Sequence, residues 1–92
     1  MMIPTNFKVG RKSYYVKQDI TLPYKINGRI HPNKRLILIK PLNPKMDTVF
    51  WHEVTHAILH DMDAHVKWTN EDFVKKFSDR LAQVVRTARF DG

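Results

Sequence analysis

The patterning of apolar residues changes character once along the chain, around the linker between Pro41 and Pro44, and this switch limits the fold more than any other feature. Upstream, apolar residues fall in short β-favouring runs. Phe7-Lys8-Val9 and Tyr14-Tyr15-Val16-Lys17 flank Gly10-Arg11-Lys12, a hairpin signal. Thr21-Leu22-Pro23-Tyr24 is broken by proline and reads as an edge or a loop. Asn27-Gly28 marks a turn, Arg29-Ile30-His31 a short strand, and Pro32-Asn33-Lys34 a second turn. Residues 35–40 carry four consecutive aliphatics, Leu36, Ile37, Leu38 and Ile39, the clearest strand of the set.

Downstream of the switch, a helix capped by Asp47 or Thr48 is expected over about residues 47–62. On a wheel of about 100° per residue, Met46, Val49, Phe50, Glu53 and Ala57 share one side while Trp51, Val54 and Ile58 share another, so this helix packs on more than one face. A second helix over about residues 70–90, starting near Thr69 or Asn70, carries an amphipathic stripe through Phe73, Val74, Phe77, Leu81, Val84, Val85 and Ala88. Strands over about residues 5–40 followed by two packed helices predict an α+β fold with N-terminal antiparallel strands. With 92 residues, one domain over residues 1–92 is expected.

Composition narrows the chemistry. No cysteine is present, which removes disulfides, thiolate metal clusters and cysteine nucleophiles and fits a reducing compartment. The longest apolar run, residues 36–39, is far short of the roughly 20 residues that cross a bilayer. The stretch Met1-Met2-Ile3-Pro4-Thr5 lacks the charged and apolar regions of a signal peptide. A cytoplasmic protein with no membrane partner is therefore expected. Sixteen Lys and Arg against nine acids give a formal charge of +7, which favours polyanionic partners such as nucleic acid. The basic residues are scattered, with no run longer than two, and ordinary solvated faces account for such a pattern as well.

His52-Glu53-Val54-Thr55-His56 is an H-E-x-x-H sequence set inside the first helix. Histidines four apart lie on one helix face, so both imidazoles can converge on a zinc ion at ~2.0–2.1 Å. Glu53 lies beside that face. There it reaches a zinc-activated water without taking a coordination position, accepts the proton as general base and passes it to a leaving amine. The competing reading is a helix with two satisfied histidines and a glutamate paired with a neighbouring base. For a third metal ligand the leading candidate is Glu71, on the flank of the second helix's apolar stripe. Asp72 points away from that stripe and suits a Thr69-x-x-Asp72 capping box. His65, Asp63 and His60 are the alternatives. One helix cannot wrap His52, His56 and His60 around one ion, since eight residues of helix span roughly 12 Å. His60 therefore reads as a core histidine or one that supports the ligands, and His31, beside a proline turn, as a surface residue.

The stretch Phe50-Trp51-His52-Glu53-Val54-Thr55-His56-Ala57-Ile58-Leu59-His60, followed by Asn70-Glu71-Asp72-Phe73-Val74, resembles small bacteriophage and prophage proteins of the zincin superfamily, themselves distantly similar to ImmA/IrrE-like and SprT-like domains. The resemblance extends more loosely over the front half, where a basic hairpin, a glycine turn and an aliphatic strand lead into the motif helix. It implies a minimal zincin-like α+β domain acting as a zinc metallopeptidase on a peptide or protein, in the host cytoplasm if phage-encoded. It also implies that Leu36, Ile37, Leu38 and Ile39 lie along the cleft and pair with an extended substrate. Met62 stands where metzincins place a third histidine, which excludes that subclass. No tyrosine follows the motif, leaving Tyr14, Tyr15, Tyr24, His65 and Arg80 as candidates for stabilising an oxyanion. Two other classes stay open: a nucleic-acid-binding module with structural zinc, and an inactive protein that engages a host partner.

Overall fold

The computed structural model describes residues 3–41, 44–62 and 70–87, without the side chains of Val84, Arg86 and Thr87. Strands β1 (Asn6–Val9) and β2 (Lys12–Gln18) form an antiparallel hairpin. Gly10 opens its two-residue loop at φ 59°, a left-handed conformation that suits glycine and that a II′ turn requires at its first central position. The Asp61 carboxylate lies against this loop, with Oδ1 3.9 Å from Lys12 Nζ. Strands β3 (Gly28–His31) and β4 (Leu36–Ile39) form a second antiparallel pair, joined by a 3-10 turn over Pro32–Lys34 and by Arg35 at φ 50°.

β4 lies against β2, giving the order β1-β2-β4-β3 with β2 and β4 parallel. The sheet expected to be antiparallel is thus mixed. Burial explains the arrangement: Ile37 and Ile39 are fully buried, and an unbroken aliphatic run is best placed where both backbone edges are bonded. Gly28, Arg29 and the proline that follows the strand take the edge instead.

Helix α1 (Met46–Asp61) crosses one face of the sheet, where Phe50 and Val54 join Val16, Ile37 and Ile39 in the core. Lys45 occupies the N-cap without a side-chain capping hydrogen bond, and Asp47, expected as a cap, sits in the first turn. Phe50, Glu53, Val54, Thr55, His56, Ala57 and Leu59 are buried, so more than one face of the helix is packed, as the two-sided patterning requires. The Thr55 hydroxyl donates to the Trp51 carbonyl at 2.8 Å, satisfying a buried polar group inside the helix.

Helix α2 (Glu71–Thr87) starts at a side-chain cap: Asn70 Oδ1 accepts the Phe73 N–H at 3.0 Å. Thr69, the other expected start, and Ala88 lie outside the described residues. α2 packs on α1, and among its described side chains Val74, Ser78 and Ala82 are fully buried, while Phe77 is 48% exposed. The seam is therefore rotated towards Val74 from the middle of the expected stripe, where Phe77 stands. Small residues four apart let two helices approach closely, and the bulkier Phe73 and Phe77 rings stack beside the seam at 5.9 Å. Among the described residues no helix is long and apolar enough to cross a membrane.

Candidate metal centre

α1 presents His52 and His56 one turn apart, with ring centroids 5.0 Å apart and planes inclined at 66°. Glu71, the first residue of α2, reaches back across the helix interface. Its Oε2 is 3.1 Å from His52 Nε2 and its Oε1 is 3.0 Å from His56 Nε2. The Asn70 cap fixes where α2 begins and hence where this carboxylate stands. Each of the three side chains offers one ligand atom, and no two of these atoms are further apart than 4.8 Å. Donors on a tetrahedron with bonds of ~2.0–2.1 Å stand roughly 3.3 Å apart. The two Glu71 contacts run to different oxygens and each is near that spacing, so the carboxylate stands within reach of an ion shared with both imidazoles, and these residues could hold a metal. Two imidazoles and a carboxylate form a donor set suited to zinc and its neighbours.

Glu53 lies beside this group, only 6% exposed, and its Oε2 carries no hydrogen bond. Burial foremost, and the nearby Glu71 charge after it, push its carboxyl up to about 7. Among the described residues no Lys or Arg pairs with Glu53, so the base-paired glutamate of the competing reading does not form there, whereas its two satisfied histidines do, both paired with Glu71. A buried carboxyl with an oxygen left for another partner is a feature that calls for a chemical reason.

A cleft of about 460 Å³ opens over these groups, with Asn27 and Gly28 on one wall and Lys75 and Asp79 on the other. Gly28 is the site residue that the sequence reading missed. A Cβ at this position would fall 2.5 Å from Val49 Cγ1 and 3.4 Å from Glu53 Cγ, so only glycine lets β3 run this close to α1. A glycine inside a strand run is the available signal of such an approach, but the Asn27-Gly28 pair signals a turn equally well.

Several expectations need correction or fall outside the structure. Leu36, Ile37, Leu38 and Ile39 cannot pair with a substrate, because β4 is bonded to β2 on one edge and to β3 on the other. Among the described residues, the edge strand next to the cleft is β3. His60 is exposed and outside the metal-binding group, so it is not a core residue. Asp63 and His65 lie outside the described residues. None of the expected oxyanion donors that the structure describes lines the cleft. Tyr14 is buried and stacked on Phe7 at 5.5 Å, Tyr24 is 91% exposed, and Arg80 donates to the Lys76 carbonyl at 3.1 Å. The cations that do line it are Lys45 and Lys75. Comparison with protein family models, with curated proteins and with solved structures gave no match to this chain.

Proposed function

We propose that this protein is a zinc-dependent hydrolase of amide bonds, a peptidase of the H-E-x-x-H kind, in which His52, His56 and Glu71 hold the ion and Glu53 is the general base. The observation that carries this reading is the state of Glu53: buried, with Oε2 unbonded, its carboxyl pushed up to about 7, beside three converging donors. Zinc, when bound, supplies a Lewis acid that polarises a carbonyl and brings the pKa of nearby water down to roughly 7. The charge of that ion would favour the ionised form of Glu53 over the protonated form that burial and Glu71 favour in the metal-free chain, leaving a carboxylate able to accept a proton. Glu53 takes the proton of the attacking water and delivers it to the amine nitrogen as the C–N bond breaks.

β3, the sheet edge next to the cleft among the described residues, is the natural seat for an extended peptide, because an edge strand can pair with one and Gly28 brings its backbone next to Glu53. The lack of cysteine suits a reducing compartment, and we place the reaction in the cytoplasm. Metal analysis combined with one substitution tests the proposal. Wild-type protein should hold about one zinc per chain and cleave members of a peptide library. Glu53→Gln should keep the zinc and lose cleavage by a factor of at least about 100. Wild-type protein purified from zinc-supplemented medium without bound metal, or a Glu53→Gln variant as active as wild type, removes the reading.

A further inference from the structure

Both helices lie on one side of the sheet, since α1 packs on β1, β3 and β4 and α2 packs on α1. The opposite face carries a different chemistry. Along β2, Tyr14 and Val16 are buried beneath α1, so the alternating residues Ser13, Tyr15 and Lys17 point the other way. The register aligns Asn6, Tyr15, Leu36 and His31 in one row across all four strands, and Lys17, Leu38 and Arg29 in the next. Lys8, paired with Ser13, lies on the other side of the Tyr15 row. Tyr15 is 56% exposed in the middle of the sheet, with cations before and after it.

The charge is not spread evenly. Residues 1–45 hold ten Lys and Arg against a single acid, Asp19, whereas residues 46–92 hold six Lys and Arg against eight acids. The whole positive surplus therefore belongs to the segment that builds the sheet. Asp19 is turned onto its own loop, where its carboxylate accepts the Thr21 N–H at 2.8 Å and the Thr21 hydroxyl. Among the described residues no carboxylate pairs with Lys8, Lys17 or Arg29.

We infer that this open sheet face binds single-stranded nucleic acid, with a base stacked on Tyr15 and the backbone phosphates held by Lys8, Lys17 and Arg29. Cations alone would suit any polyanion, and the exposed ring among them decides the class. A single strand offers unstacked bases to an aromatic platform and phosphates to the cations around it. A duplex keeps its base faces covered and is read through its grooves, for which a flat sheet presents no matching element. An acidic peptide would use the cations and leave the tyrosine unused. The surface lies across the sheet from α1 and holds whether or not the hydrolase reading does.

Fluorescence anisotropy with a labelled 12-nucleotide oligothymidylate, titrated between 50 and 300 mM salt, tests the inference. With three phosphates neutralised, log affinity should fall against log salt with a slope of about −2, at ~0.7 per phosphate for a single strand. Tyr15→Ala should weaken binding roughly tenfold while Tyr15→Phe retains it. Lys17→Gln with Arg29→Gln should flatten the slope by about 1.4. Unfolding curves of the variants confirm that these outward-facing substitutions leave the fold intact. Equal affinity for a duplex or for polyglutamate, an unchanged affinity in Tyr15→Ala, or no binding at 50 mM salt would each overturn it.

Discussion

Glu53 concentrates the tension in this molecule, because burial opposes its charge while the proposed chemistry requires it. In the metal-free protein its carboxyl is pushed up from 4.5 to about 7, by burial first and by Glu71 second. The sign of the consequence follows from linkage. The folded chain holds the Glu53 proton to about pH 7, whereas the unfolded chain releases it near 4.5. The unfolded state thus binds fewer protons between those values, and stability falls as pH rises through the window. At 1.36 kcal/mol per pKa unit the contribution is on the order of 3–4 kcal/mol. It is fully present below pH 4.5 and gone above 7. Denaturant unfolding of metal-free wild type and Glu53→Gln across this range should show a slope in wild type that the variant lacks. Parallel curves would mean that Glu53 does not titrate there.

The strands and helices were readable because each rests on local chemistry: turn residues around β1 and β2, an aliphatic run for β4, and three- and four-residue spacing for both helices. The order of strands was not, because pairing β4 with β2 is a contact between distant segments that patterning does not encode. Nor was the α2 seam, since Ser78 is polar yet fully buried, while the large Phe77 ring, which dominates the apolar stripe, is half exposed beside it. In the site the same division holds. His52, Glu53 and His56 lie within little more than one helical turn, Glu71 was reached from its place on the helix flank, and Gly28 escaped because its role exists only where β3 meets α1. That meeting yields a prediction. Gly28→Ala drives a methyl into Val49 Cγ1 at 2.5 Å, and a β-branched side chain in a helix has few rotamers with which to yield. Overpacking of this kind costs roughly 1–3 kcal/mol. The double variant Gly28→Ala, Val49→Ala should lose less than the sum of the two single changes, because the clash is removed. Additive losses in chemical denaturation would show that β3 and α1 do not press together here.

Among the strands and helices, α2 is held chiefly by α1, and Glu71 is the point at which it meets the two histidines. An ion bound by His52, His56 and Glu71 therefore acts as a cross-link between the helices as well as a reactive centre. A chain of 92 residues has a thin stability margin, so that link bears on the whole fold. With free zinc at about 100 times its dissociation constant, binding adds ~2.7 kcal/mol. For a domain of this size that corresponds to a rise in melting temperature of roughly 10–20 °C. Chelation should reverse the rise, and hydrogen exchange should show where the loss falls. Amides of α2 should lose protection first, because their tie to α1 is what the metal reinforces, while β4, bonded on both edges, keeps its protection longest. Glu71→Ala should reproduce the chelated pattern even with zinc present, since two histidines alone leave α2 untethered. If chelation lowers protection evenly across β4 and α2, the ion stabilises the fold as a unit and the cross-link between helices is not its mode of action.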